Sequence, residues 1–411
     1  MRRACIACAA GLFLSVSAYA ADASPALGGL AQALARAWSL SPQAAAGEAR
    51  QAEALANREV ASGLTPEPLS VSIGSRNDRL ARDVGKQEYE VEVAAPLWLP
   101  GQRNAREAEA ESRLDETSAR LAALRLDLAA EVREAWWALA AARNADILSA
   151  RRLDTARALA SDVRRRYEVG DLSRIDANLA QVEVHVATAE SIDAQGALQQ
   201  AEQVLHKLTG VLAPAVLDEE AAVSPRSPNT SPTESEIHPA LAAAAAAARS
   251  ARAKVKVASE SRRAAPELAL RVLRERNDSN EPYGNTLGIR LKIPLSSGSL
   301  ARREIAAAQA EADQAEAEVL RVETRVQLEM QRARGTLAAS EQQLAMARGR
   351  LALATENLRL AEKAFSLGET ELATLLRIRA AALDAEGFLA RQQLARAAAI
   401  SRLNQSLGVL P

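Results

Sequence analysis

Hydrophobic positions recur every seventh residue along two long, proline-free stretches of the chain. In the first, from about Gln102 to Arg166, Leu114, Leu121 and Leu128 are followed by Ala135 and Ala142 on the same row. In the second, from about Ser299 to Leu367, the row runs Met330, Leu337, Leu344, Leu351, Leu358 and Phe365. A sustained seven-residue spacing predicts helices that wind against other long helices rather than pack into a globular core. At 1.5 Å per residue, roughly 65 residues reach about 100 Å, so each rod needs long partners. A glycine turn closes each stretch, and a return helix follows, about Ser173 to Thr209 and Glu371 to Leu407.

A period of two precedes each rod. Leu69, Val71 and Ile73 alternate with Ser70, Ser72 and Gly74, and Tyr89, Val91 and Val93 with Glu88, Glu90 and Glu92. In the second half Leu268, Leu270 and Val272 alternate with Ala269, Arg271 and Leu273. Leu287, Ile289, Leu291 and Ile293 alternate with Thr286, Gly288, Arg290 and Lys292. This predicts half-buried strands over 67–75, 87–96, 266–275 and 285–294. Strands of this length fit a soluble hairpin with one wet face, and equally a tilted membrane strand. With no other strands nearby to bury the apolar stripe, lipid is the favoured cover. Glu88, Glu90, Glu92, Arg271, Arg290 and Lys292 then face a watery lumen. Four strands cannot close a barrel and lipid does not tolerate open strand edges, so the chain is expected to assemble with copies of itself.

The chain repeats itself. Pro96-Leu97 falls on Pro294-Leu295, 198 residues on; Tyr167 falls on Phe365, Gly170 on Gly368, and Gly210-Val211-Leu212 on Gly408-Val409-Leu410. Different kinds of landmark sharing one shift indicate a duplication. The expected units are a first repeat over 21–212 with a long helical hairpin at 102–209, and a second over 237–411 with a hairpin at 299–407. Each opens on a shorter helical segment, about Ser24–Ser62 and Pro239–Arg263. Between them, 213–236 carries Pro214, Pro225, Pro228 and Pro232 and reads as a linker.

Residues 1–20 have the pattern of a secretory signal: Arg2 and Arg3, an apolar stretch from Cys5 to Val16, then Ala18-Tyr19-Ala20. Both cysteines, Cys5 and Cys8, lie in it, so a mature chain would hold no thiol. A formal charge of −1 gives no electrostatic case for nucleic acid. Aromatic residues make up only 3% of the chain, which limits it to a thin core of the Ala/Leu kind that wound helices use.

Two copies of helix, hairpin, long helix, turn and helix behind a signal peptide are joined by an entry motif, Pro96-Leu97-Trp98-Leu99-Pro100-Gly101-Gln102-Arg103. The tip motif is Arg166-Tyr167-Glu168-Val169-Gly170-Asp171-Leu172-Ser173. Together they resemble the TolC-like outer membrane factors of tripartite efflux pumps and type I secretion, with a lean toward the heavy-metal efflux branch. The resemblance implies a mainly α fold with a small membrane β part: a homotrimer whose α-helical tunnel continues a twelve-stranded β-barrel. It also implies the outer membrane of a Gram-negative bacterium, outer-membrane lipid as surroundings, and as partners a periplasmic adaptor and an inner-membrane pump of the resistance-nodulation-division type. The expected role is a passive duct exporting small molecules or metal ions. The alternatives are a duct for type I protein secretion and, from another class, a periplasmic coiled-coil adaptor or scaffold.

On that resemblance the adaptor-docking and gating tip comprises Arg165, Arg166, Tyr167, Gly170, Asp171, Ser173 and Asp176, with Phe365, Gly368, Glu369 and Glu371 from the second turn. The glycines stop the long helices, and Tyr167 and Phe365 are expected to seal the turns by packing. Asp171, Asp176, Glu369 and Glu371 either cap the return helices or form an acidic ring at the mouth. Arg165 and Arg166 either pair with those acids or face solvent. The lipid-facing set is Leu69, Val71, Ile73, Tyr89, Val91, Val93, Leu268, Leu270, Val272, Leu287, Ile289 and Leu291. His185, His206 and His238 are too dispersed for a metal site. Trp136-Trp137 is expected to pack between helices. No nucleophile elbow, phosphate loop or zinc-protease motif occurs, so neither enzyme nor cofactor is expected.

Overall fold

The computed structural model describes residues 28–80, 84–223, 238–295 and 298–411. The expected export signal, and Pro225, Pro228 and Pro232 of the linker, lie outside the described residues. The chain opens with α1 (Leu30–Leu40) and α2 (Pro42–Ala61), then β1 (Ser70–Asn77) and β2 (Gln87–Pro96). The rod α3 (Gln102–Glu168, 67 residues) and its return α4 (Arg174–Thr209) complete the first half. The second half is α5 (Pro239–Glu260), β3 (Glu267–Arg276), β4 (Gly284–Lys292), the 69-residue rod α6 (Gly298–Ser366) and α7 (Leu372–Ser406).

Three boundaries differ from the sequence expectation for a local reason. The single leading helix is broken at Ser41: its side chain accepts the Gln43 N–H at 3.2 Å, and Pro42 sits at the first helical position. A serine cap followed by proline starts a new helix and ends the old one. β1 begins at Ser70, not near 67, because Pro66 and Pro68 have no N–H to give to a ladder; β4 stops at Lys292, two residues before Pro294.

The four strands form one antiparallel sheet in the order β1-β2-β3-β4, so β2 and β3 pair across the two halves. Each half's rod packs against its own return helix, α3 on α4 and α6 on α7, and α3 touches α7 across the duplication. The return helices are about half as long as the rods. The sheet-side portion of α3 is covered by α2 and α5 instead, and α5 also lies on α6. Among the described residues α4 and α6 do not touch each other, which leaves them as the outer edges of the helical layer.

Buried apolar residues gather in two larger clusters, with a small one of Leu153, Ala156 and Ala187 besides. At mid-height Leu30, Leu34 and Ala37 of α1 pack on Ala129, Val132, Trp136 and Leu139 of α3 and Leu205 of α4. At the far end Leu159 and Val163 pack with Ala180, Ala361, Phe365, Leu372 and Leu375, fusing the two hairpin tips into one cluster.

Candidate functional site

The register of the sheet sorts its side chains. Residues directly opposite in an antiparallel ladder point to the same side. Val71 pairs with Val93 and Ile73 with Val91; Val91 pairs with Val272 and Val93 with Leu270. Leu268, Leu270 and Val272 pair in turn with Leu291, Ile289 and Leu287. One face is thus a continuous apolar surface, and all of these side chains are exposed. Tyr89 shares that face, and Leu69 lies one residue before β1.

The opposite face is a ladder of opposite charges. Arg271 Nε reaches Glu90 at 2.9 Å and a terminal nitrogen of Arg271 reaches Glu88 at 3.8 Å. Arg290 bridges Glu92 at 2.7 Å and Glu90 at 3.7 Å, Arg76 meets Glu88 at 3.6 Å, and Lys292 meets Glu267 at 3.6 Å. Pairs like these are each worth little in water, roughly 0–1 kcal/mol, but side by side they keep three glutamates on one strand from repelling each other. Near the hairpin turns, Tyr283 lies under Arg274 and Arg276 at 4.7 and 5.0 Å and stands 6.3 Å from Tyr89. The alternation of polar and apolar residues does not announce this cluster, because Tyr283 falls in a loop by sequence.

At the far end both rods stop in the same way. Gly170 and Gly368 take φ of 84° and 76°. The next residue bonds back to the carbonyl five positions earlier in the Schellman pattern, Asp171 N–H to Arg166 O at 2.8 Å and Glu369 N–H to Ala364 O at 2.9 Å. The side chains then diverge. Ser173 and Asp176 cap α4 reciprocally, with Ser173 Oγ accepting from Asp176 N–H at 3.2 Å and Asp176 accepting from Ser173 N–H at 3.0 Å. Glu371 begins α7 without any such bond. Arg165 and Arg166 pair with Asp162 at 3.0 and 3.3 Å, one turn back on α3, rather than with the tip acids. The Arg166 guanidinium also lies 5.2 Å from the centre of the Phe365 ring. Phe365 is buried at 8% exposure, whereas Tyr167 is 41% exposed, so only one of the two aromatics seals its turn. The carboxylates of Asp171 and Glu369 have no partner among the described residues.

A buried polar centre at mid-height carries no sequence motif. Arg133, 4% exposed, donates to both Glu220 oxygens, at 3.0 and 2.6 Å, to the Val409 carbonyl at 3.0 Å and to Gln405. Ser401 also donates to Glu220, Asn404 holds Val223 N–H and Ala221 O, and Trp136 Nε1 donates to Asp218 O at 3.2 Å. Residues 218–223 are therefore fastened between α3 and α7, and what composition presents as a linker is structural there. Trp136 is fully buried, and Trp137 lines a groove between α3 and α7. His238 caps α5, its Nδ1 accepting Ala240 N–H at 3.2 Å, and burial pushes its pKa down. Among the described residues no group of three or more His, Cys, Asp and Glu is placed to hold a metal ion.

An open sheet with one apolar and one charged face, continued by duplicated helical rods, is the fold of a known family. The chain belongs to the outer membrane efflux proteins, whose pattern matches residues 30–211 and 234–409. That membership puts it in the outer membrane and in a family of efflux proteins rather than enzymes. In sequence it resembles the cobalt-zinc-cadmium resistance protein CzcC of Cupriavidus metallidurans, 29% identical over 223 residues, which is 53% of each chain. The chain thus spans about half the length of that curated relative. In structure it resembles the outer membrane protein VceC of Vibrio cholerae (TM-score 0.74, 17% identity, 92% of this chain and 96% of that one). It is also similar to CusC (TM-score 0.76, 15% identity, 92% of each chain), which forms a transmembrane channel.

Proposed function

We propose that three copies of this chain close into a passive outer-membrane duct that carries small molecules or metal ions from the periplasm to the exterior. The observation that carries this is the sheet: an apolar face left exposed, a charged face opposite, and strands β1 and β4 with no outer partner among the described residues. In lipid an unpaired strand edge costs several kcal/mol for each orphaned backbone group, so β4 of one copy pairs with β1 of the next until the ring closes. Three sheets of four strands make a twelve-stranded barrel with Glu88, Glu90, Glu92, Arg271, Arg290 and Lys292 inside and the apolar set against lipid.

The helical layer supports the same closure. α4 exposes Ile175, Leu179, Val182 and Val186, spaced four, three and four. α6 exposes Met346, Leu353 and Leu360 at sevens, and Leu367, one residue past its end, keeps the spacing. Such stripes are coiled-coil seams without their partners, and α4 of one copy against α6 of its neighbour fills both.

At the mouth, threefold symmetry brings the unpaired Asp171 and Glu369 together, while Asp162 holds Arg165 and Arg166 within each chain. Tyr167, exposed beside Gly170, is offered to a periplasmic adaptor, which links the duct to an inner-membrane pump of the resistance-nodulation-division type. The chain itself performs no catalysis. The resemblance to CzcC favours divalent metal ions as cargo over secreted proteins. Disrupting the gene should lower tolerance to cobalt, zinc or cadmium, and the wild-type chain should restore it. Unchanged tolerance to all three would reject the metal assignment.

A further inference from the structure

The sheet has a turn end and a helix end. At the helix end three joints meet: Leu99-Pro100 between β2 and α3, Ser259 to Arg263 between α5 and β3, and Pro294-Leu295 after β4. They line an open, cleft-like cavity of about 450 Å³. The first two joints are tied together, Leu97 N–H to Pro266 O at 2.7 Å and Gln102 Nε2 to Ser261 Oγ at 3.0 Å, while Gln102 Oε1 accepts the Leu99 N–H at 3.1 Å.

Apolar and ionic chemistry meet there. The exposed row Leu287, Ile289 and Leu291 continues through Ile293 to Leu295, which is 92% exposed at the rim of the cavity. Arg262 Nε donates to Ser259 O at 2.9 Å, which fixes its stem and leaves both terminal nitrogens without a partner among the described residues. Arg263 has no partner at all among them. Glu260 sits over Gly101 at the start of α3, where φ is +79° and a Cβ would come within 2.8 Å of Glu260 Oε2. Trp98 marks the same level, its indole N–H on Gly63 O at 3.1 Å and Arg106 5.7 Å from its ring. Tryptophan and arginine favour the boundary between hydrocarbon and headgroups.

We infer that this cavity is a headgroup site for a zwitterionic phospholipid of the ethanolamine type. Two guanidinium groups match a phosphodiester, the carboxylate of Glu260 matches the ammonium, and the apolar row leading from Leu295 lies along the acyl chains. The inference rests on the membrane placement of the sheet proposed above.

The test is native mass spectrometry of the full chain in detergent with equal amounts of dioleoyl phosphatidylethanolamine, dioleoyl phosphatidylglycerol and dioleoylglycerol, and separately with glycerophosphoethanolamine. The wild type should retain the ethanolamine lipid about tenfold better than dioleoylglycerol, a difference of about 1.4 kcal/mol. Arg262→Ala with Arg263→Ala should lose that advantage, and Glu260→Gln should erase the preference for ethanolamine over phosphoglycerol. Equal retention by the double alanine variant and wild type overturns the site. So does equal binding of dioleoylglycerol, and binding of the chainless headgroup as strongly as of the lipid points to a free phosphodiester instead and overturns the lipid assignment. An unchanged preference in Glu260→Gln overturns the ethanolamine assignment. Fractionation keeps the two proposals apart: if the wild type is absent from the outer membrane the duct fails, and if it is there but blind to headgroup only this site fails.

Discussion

The rods α3 and α6 are near twins in length and stop at matching glycines, yet they are clothed differently at mid-height. Ala129, Val132, Trp136 and Leu139 of α3 are buried under α1 and the end of α4, and Arg133 beside them under residues 218–223. The residues 198 positions on from Arg133 and Trp136 are Gln331 and Arg334, both exposed. The tips repeat the lesson with the halves exchanged, for there the second copy supplies the buried aromatic and the first the exposed one. Duplication preserved the backbone plan; burial was then divided between the copies, so neither half is complete alone.

The sharpest way to break this comparison is at Arg133. Arg133→Ala leaves Glu220 buried without its cation and should cost about 3–5 kcal/mol of stability in chemical or thermal unfolding, whereas Gln331→Ala should change it by under about 0.5 kcal/mol. Equal effects would mean that the mid-height asymmetry carries no energy. At the tips, Phe365→Ala empties a cluster shared by four helices and should also cost about 3–5 kcal/mol, against about 0.5 kcal/mol or less for Tyr167→Ala. Hydrogen exchange should locate the loss at residues 358–376.

Much of the plan was legible because it is periodic. Sevens marked the rods, twos marked the strands, and Gly170 and Gly368 marked the turns. The face each strand residue takes followed from alternation, and the observed register agrees with it pair by pair. Pairing of β2 with β3 was not legible, since nothing local links segments about 180 residues apart. Nor was the Arg133–Glu220 contact, which joins a helix to a segment whose composition reads as a linker. Tyr167 and Phe365 look equivalent in sequence; what separates them is the neighbouring hairpin, which covers one and supplies Arg166 to its ring. The break at Ser41-Pro42 was different, for serine before proline is a helix start that a local scan can find.

Finer effects sharpen the contrast. Ser173→Ala removes a reciprocal cap and should cost about 1 kcal/mol, while Glu371→Ala, at the matching helix start with no side-chain bond, should cost under about 0.5 kcal/mol. The smallest effect is pH-dependent. Burial holds the His238 pKa below its ordinary 6.5, against the opposing pull of Glu329 and Asp127. The unfolded chain therefore takes up the proton first. The stabilisation from the neutral ring is complete above pH 6.5 and is lost as the pH falls through the lower folded value. His238→Asn keeps a capping side chain and should flatten that part of the urea midpoint's pH profile; an unchanged profile would remove His238 from the account.

Everything in the proposed duct depends on three copies closing around one passage. The direct measurement is the mass of the full chain extracted from outer membranes in mild detergent, by light scattering or native mass spectrometry. Three chains per particle, lost to aggregation when detergent is withdrawn, is the predicted result. A stable single chain that stays in solution without detergent would contradict it.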